Sequence, residues 1–300
     1  MGLTKMSEQS EGPWVLQQVL SGHQGAVYDL ATDASGTLWS GGGDGWLVRW
    51  AKQDSKWSEK GEAMVRTEGA LFAVHPHETG VVAGGENGGL VHWTPHNTRI
   101  LAGHEGGAYE LAGPCSGGAD GRLLHWPTQQ VLGAVTGRVR CFAQTDSGWV
   151  VGTHEGELHH LKMGWTQKLH EGSLRAILPW PGKSAWGTVG ADGALNLWKA
   201  SESEWKLLLR IDAHKGSVYR LQADPLGRWV ATSSRDRSVA LWNPKTLALE
   251  QRLARPQVPG HKRSVNALCF LGPKTLASAG DDGQILIWNL KGQGRPISGG

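Results

Sequence analysis

Val151 to Leu161 reads VGTHEGELHHL, with three histidines and two glutamates in one short stretch. Taken alone, it looks like a metal site or an acid–base cluster. The rest of the chain offers a different reading. Six other segments share its outline: SGGGDGWLVRW ending at Trp50, AGGENGGLVHW at Trp93, SGGADGRLLHW at Trp126, TVGADGALNLW at Trp198, TSSRDRSVALW at Trp242 and SAGDDGQILIW at Trp288. The end points recur every 33 to 46 residues, which marks a repeat architecture rather than a local motif. A repeat also explains the composition, in which 44 glycines and 16 tryptophans stand beside 3 tyrosines and 3 phenylalanines.

The spacing predicts β-structure. Asp-Gly or Asn-Gly between two short apolar runs is a strong hairpin signal, and it occurs at Asp44-Gly45, Asn87-Gly88, Asp120-Gly121, Asp192-Gly193 and Asp282-Gly283. Both central residues of such a turn are expected at positive φ. The third residue before each end point is aliphatic in every copy: Leu47, Leu90, Leu123, Leu158, Leu195, Val239 and Ile285. A column of this kind on a short strand predicts burial between neighbouring sheets.

With a His preceding five of the segments (Gly22-His23, Gly103-His104, His170, His214 and Gly260-His261), the unit resembles the WD-repeat family over about residues 13 to 290. The resemblance implies an all-β fold: a single seven-bladed β-propeller of four-stranded antiparallel blades, flanked by tails at 1–12 and 291–300. It also implies a buried His, Ser/Thr, Asp, Trp tetrad in each intact blade. The matching sets are His23/Ser40/Asp44/Trp50, His104/Ser116/Asp120/Trp126, His170/Thr188/Asp192/Trp198, His214/Thr232/Asp236/Trp242 and His261/Ser278/Asp282/Trp288. Blade two keeps only Trp93, and blade four has Val135, Val151, Glu155 and Leu161 at the four positions, so blades two to four are expected to be the least regular. The apolar stretch at residues 14 to 20, WVLQQVL, belongs to no blade of its own and is predicted to close blade seven.

The chemistry-bearing residues have structural readings. Five copies of His, Asp and Ser/Thr around a ring argue for fold-bearing networks, since an enzyme needs one such constellation. Gly182-Lys183-Ser184 lacks the earlier glycine and following helix of a phosphate loop. His75-Pro76-His77 is placed in a turn of blade two, with no third metal ligand in the repeat alignment. His159 and His160 are consecutive on a strand and so face opposite ways.

In the family, partners most often meet the narrow top face of the propeller. Carried over residue by residue, its positions include Tyr28, Phe72, Glu86, Tyr109, Arg138, Arg140, His154, Arg175, Tyr219, Arg235 and Asp281. All three tyrosines of the chain fall in one column, and four arginines gather in blades four to six. Tyr and Arg dominate interface hot spots, so the expected function is a non-enzymatic scaffold binding a protein or peptide, acidic or phosphorylated, without cofactor or metal. The alternatives are an enzyme using His154 as acid or base near Arg140 and Glu86, and a nucleic-acid-binding propeller. The net charge of +3 without a basic run and the acidic Glu86 and Asp281 at the same mouth disfavour nucleic acid. No apolar run approaches a membrane span, no signal peptide or myristoylation pattern is read at the N-terminus, and three scattered cysteines predict a cytoplasmic protein.

Overall fold

The computed structural model describes residues 12–53 and 56–291. The tails expected at 1–12 and 291–300 lie almost wholly outside the described residues. Seven four-stranded antiparallel sheets follow one another along the chain. From the innermost strand outward, blade one is Val27–Thr32, Leu38–Gly42, Trp46–Trp50 and Glu62–Arg66. Blade four begins at Val139–Thr145 and ends on the three-residue strand Thr166–Lys168. Blade seven consists of Val265–Gly272, Thr275–Gly280 and Gln284–Leu290, with Trp14–Ser21 as its outer strand. Trp14 pairs with Leu290 and Ser21 with Gln284, so the stretch at 14 to 20 closes the ring as expected.

Packing follows the apolar column. Leu47, Leu90, Leu123, Leu158, Leu195, Val239 and Ile285 are each at most 1% exposed, wedged between adjacent blades. Burying one such side chain stabilises by about 1.5–3 kcal/mol.

The hairpins differ from the expected turn. Only the glycine is at positive φ (Gly45, +75°; Gly283, +70°), while the aspartate before it is not. The N–H of Gly45 donates to the Gly42 carbonyl at 3.1 Å, which makes a type I turn closed by one left-handed residue. This geometry lays the Asp side chain back over its own loop. Asp44 accepts the N–H groups of Gln24 (2.9 Å) and Trp46 (3.2 Å) as well as His23 Nδ1–H (3.0 Å). Blade six has Arg237 in the glycine's place, at φ +72°. An L-residue there costs about 1–2 kcal/mol, so Arg237→Gly is expected to raise the denaturant midpoint by about 1 kcal/mol equivalent.

Four of the five expected tetrads are complete. With Asp accepting from His Nδ1–H, Nε2 takes the Ser/Thr hydroxyl, whose oxygen accepts the indole N–H: Trp50 to Ser40 and Trp288 to Ser278 at 2.8 Å, Trp198 to Thr188 at 2.8 Å, and Trp242 to Thr232 at 3.0 Å. Burial opposes ionisation of Asp44, but the hydrogen bond and charge of His23 and the two N–H donors outweigh it and hold its pKa at about 2. Blade three departs. Its inner hairpin shrinks to the turn Gly113-Pro114, and Trp126 donates to the Gly113 carbonyl at 3.1 Å instead of to Ser116. Blades two to four all keep four strands. Blade three shortens to strands of 5, 4, 4 and 5 residues, whereas blade two, at 7, 6, 5 and 5, is as long as blade one, against the expected irregularity. In blade four Val135, Val151 and Leu161 pack in one apolar cluster, which replaces the missing polar network.

Two features went unread in the sequence. The segment 52–57 carries a two-stranded ribbon, Lys52–Gln53 with Lys56–Trp57. A side-chain clasp also recurs between blades. Gln251 exchanges two hydrogen bonds with the backbone of Trp14 (2.8 and 2.9 Å), Gln18 does so with Trp57 (3.0 and 2.7 Å), and Gln167 with Trp205 (both 2.7 Å).

Candidate functional site

The innermost strand of every blade carries a register shift near its start, and each shift leaves one residue unpaired: Tyr28, Phe72, Tyr109, Arg140, Arg175, Tyr219 and Asn266. A bulge re-aims the side chain of its extra residue. Here seven bulges direct seven side chains into a cavity of about 370 Å³ at the channel mouth, completed by Arg220 and Asp281.

The lining is ordered by chemistry. Tyr28, Phe72 and Tyr109 form an aromatic arc with centroid spacings of 5.4 and 5.5 Å. Arg140 lies over Tyr109 at 4.2 Å, and Arg175 over Tyr219 at 5.4 Å, both in cation–π geometry. Across from them Asn266 donates to Asp281 (2.8 Å) and to the Val27 carbonyl (3.1 Å). Burial and then the neighbouring Arg175 charge bring Arg140 down to about 10. Burial likewise lowers Arg175, whose Nε is buried without a hydrogen-bond partner. Burial, Asp281 and Glu86 raise the Tyr28 hydroxyl. The cavity thus has a basic wall, an aromatic arc and one acidic corner.

Directly beneath the ring sits an ion triad that sequence reading missed, with Asp29 buried and Glu110 and Arg220 half-buried. Arg220 donates through Nη2 to Asp29 (3.0 Å) and through Nη1 to Glu110 (2.8 Å), while Asp29 also accepts the Val74 N–H (2.9 Å). Each of the three follows directly after its blade's bulged residue, Tyr28, Tyr109 or Tyr219, and that adjacency was the available signal. Arg220 rises well above its usual value because the two carboxylates overcome the effect of burial. Arg175 and Arg220 also line a second cavity of about 330 Å³, with Cys141 and Cys269 on its walls.

Seven of the eleven predicted residues meet in the first cavity. Glu86, Arg138, His154 and Arg235 stay outside it, exposed on the rim. Glu86 accepts the Ala70 N–H at 3.2 Å, and Arg235 lines a separate groove with Arg237, Arg255 and Lys262. Burial, Arg140 and Arg175 lower the His154 pKa.

The remaining histidines are tied to structure. His159 rests against Glu157 at 3.3 Å, and its Nδ1 is 2.9 Å from Thr166 Oγ1. His160 is buried, with Nδ1 accepting the Met163 N–H at 3.3 Å, so the ring proton is on Nε2 and donates to Ser147 Oγ at 2.8 Å. A general base would need the reverse tautomer. His75-Pro76-His77 is not a turn but the end of the strand Leu71–His77. Val81 and Gly80 pair with Pro76 and His77, and this strand places His77 Nε2 3.0 Å from His92 Nε2. Among the described residues no three His, Cys, Asp or Glu side chains are grouped to hold a metal ion.

Architecture and site define a seven-bladed β-propeller with a built cavity at its axis. Residues 14–50, 205–243 and 254–289 match the family model "WD domain, G-beta repeat". The crystal structure of the WD40 β-propeller domain of Doa1 superimposes with a TM-score of 0.80, covering 94% of this chain and 98% of that one at 17% identity. The WD repeat and FYVE domain-containing protein 1 of Mus musculus is 29% identical over 104 residues, which are 33% of this chain and 23% of that protein. The WDS homolog of Arabidopsis thaliana, a WD repeat-containing protein, is 33% identical over 107 residues, or 34% and 19%. The chain spans less than a quarter of the length of these relatives. The fold is a seven-bladed β-propeller, and three stretches of the chain are similar to the WD-repeat family model. Propellers of this family generally act as protein-interaction scaffolds.

Proposed function

We propose that this propeller is a non-catalytic scaffold that grips an acidic segment of a partner protein at the mouth of its central channel. The observation that carries the reading is the pair Arg140 and Arg175. Each guanidinium is stacked on a tyrosine and neither has a carboxylate partner among the described residues, although Arg220 beside them has two. Stacking holds each guanidinium in one plane and leaves its N–H edge for a planar or tetrahedral anion. A carboxylate or phosphate there would take up the orphaned Arg175 Nε–H, its apolar neighbours would lie on the Tyr28–Phe72–Tyr109 arc, and Asp281 would favour a donor at the far side. A hydroxyl-bearing or basic residue close to the acidic one therefore fits best. We further place the protein in the cytoplasm, on the three free and buried thiols.

The test is anisotropy titration of the full chain with capped peptides carrying glutamate or phosphoserine at the centre. Arg140→Ala with Arg175→Ala is expected to weaken binding by tenfold or more, about 1.5–3 kcal/mol, while Arg235→Ala on the rim has a smaller effect. Equal affinity for wild type and double variant would refute the reading.

A further inference from the structure

The hairpin turn of blade six departs from those of the other blades. In blades one to five the carbonyl of the turn glycine accepts an N–H from the link to the next blade, as Gly45 does from Thr67 and Gly88 from His104, both at 2.9 Å. A side chain has no room at such a turn, since a Cβ at Gly88 would collide with the His104 carbonyl. Blade six instead carries Arg237, exposed and at φ +72°. Its room comes from the link that follows, residues 254–264, whereas the six other links run from four residues (67–70) to six (102–107). Among the described residues no N–H of this longer link reaches the Arg237 carbonyl, and a groove of about 600 Å³ opens between turn and link. Backbone strain of this kind clusters where a side chain is put to use.

The groove is basic, and its cations are unpaired. Arg235, Arg237, Arg255 and Lys262 line it, all four exposed, and none makes an ion pair among the described residues. Arg255 donates through Nε to the Gly260 carbonyl of its own loop at 2.9 Å. The one carboxylate of the lining, Asp236, is engaged by its tetrad. It accepts His214 Nδ1–H (3.0 Å), the N–H groups of Lys215 (3.2 Å) and Ser238 (3.1 Å), and the Ser238 hydroxyl (2.6 Å).

Lys262 also walls the neighbouring groove between blades seven and one, which shares Tyr28 and Asp281 with the central cavity. The three depressions adjoin, making one track from the rim of blade six to the channel mouth. Asp281 and Asp282 lie along its middle, so a ligand charged at every unit, such as a nucleic acid, would be repelled there. A peptide with two separated anions and a neutral or hydroxyl-bearing stretch between them matches the order basic, acidic, basic. Resting on the reading that a first anion enters beside Arg140 and Arg175, we propose that the blade-six groove is a second anion subsite, which takes a phosphorylated residue of the same partner segment. A phosphoryl group offers three acceptor oxygens to the surrounding cations, where a carboxylate offers two.

Anisotropy titration of the full chain tests this with capped peptides in which two phosphoserines are joined by Gly-Ser spacers of increasing length. Each is compared with counterparts that have serine for one phosphoserine or the other. At the spacer that spans the track, the doubly phosphorylated peptide is expected to bind about tenfold or more tighter than either counterpart. Arg235→Ala with Arg237→Gly should erase that gain and leave singly phosphorylated peptides little changed. The melting temperature should not fall, since Arg237→Gly relieves the turn. Arg138→Ala, at an exposed rim position of blade four, should leave the gain intact. The proposal is overturned if no spacer yields the gain, if the gain survives the Arg235 and Arg237 changes, or if Arg138→Ala erases it equally. It is also overturned if those two changes weaken binding of an oligouridylate and not of the doubly phosphorylated peptide, which would assign the groove to nucleic acid. Binding weakened by the Arg235 and Arg237 changes but not by Arg140→Ala with Arg175→Ala would sink the cavity reading and leave the groove standing; the reverse would sink the groove alone.

Discussion

Deletion of residues 1–20 is expected to lower the melting temperature by about 10–20 °C, because it removes the strand that closes the ring. Trp14 and Leu20 are both fully buried, and they pack in different places: Trp14 against Phe270 and Trp229 between blades six and seven, Leu20 between blades seven and one. Trp14 is also held through both of its backbone groups by Gln251. Losing a buried Trp or Leu costs about 3–5 and 2–5 kcal/mol respectively, and the deletion additionally exposes the edge of Gln284–Leu290. Trp14→Ala alone should account for about 3–5 kcal/mol of the loss in chemical denaturation. An unchanged melt for the deleted chain would mean that blade seven does not need this strand.

Arg220→Met is expected to destabilise the protein by about 3–5 kcal/mol at neutral pH, since it strands two carboxylates in the channel. The loss should shrink as the solution is acidified. In the wild type, burial raises the Glu110 pKa, Asp29 adds to the rise and Arg220 opposes it. Removing Arg220 raises it further. A carboxylate whose folded-state pKa exceeds its unfolded value binds more protons when folded, so stability is gained as pH falls through the raised value. Urea midpoints at pH 8, 6.5 and 5 should therefore converge on the wild-type curve toward the acid end. Glu110→Gln in the Arg220→Met background should recover part of the loss at pH 8 and flatten the dependence. A gap between variant and wild type that is constant with pH would show that Arg220 acts by packing alone.

The two variants probe what the sequence did and did not disclose. The blade count, the closing strand and the aliphatic column were legible because each repeats at fixed offsets, and a repeated offset reports a repeated environment. The Trp126 bond was not, because it depends on Gly113-Pro114 shortening a hairpin, a change of length rather than of residue type. His77 and His92 are 15 residues apart and meet only through strand pairing, so the alignment that found no further ligand beside His75 and His77 could not see the contact. At the cavity, the column that holds the three tyrosines was legible without its cause. The cause is a bulge, which separates the cavity ring from the residue after it and points that residue, Asp29, Glu110 or Arg220, into the channel below. The partnerships among those three are pairings between distant blades, with no periodic signature. Glu86, Arg138, His154 and Arg235 were grouped with the cavity because all lie on one face, yet they stand outside the bulged ring.

The central claim is that Arg140 and Arg175 await an anionic group from a partner. Side-chain Nε–H resonances of ¹⁵N-labelled arginine, followed while a glutamate- or phosphoserine-centred peptide is titrated in, test it most directly. The account predicts that the Arg140 and Arg175 signals shift and that the Arg175 Nε–H becomes protected from exchange with water, with Arg220 little changed. Peptide binding that leaves both signals in place, or that moves only the rim arginines Arg138 and Arg235, would contradict it.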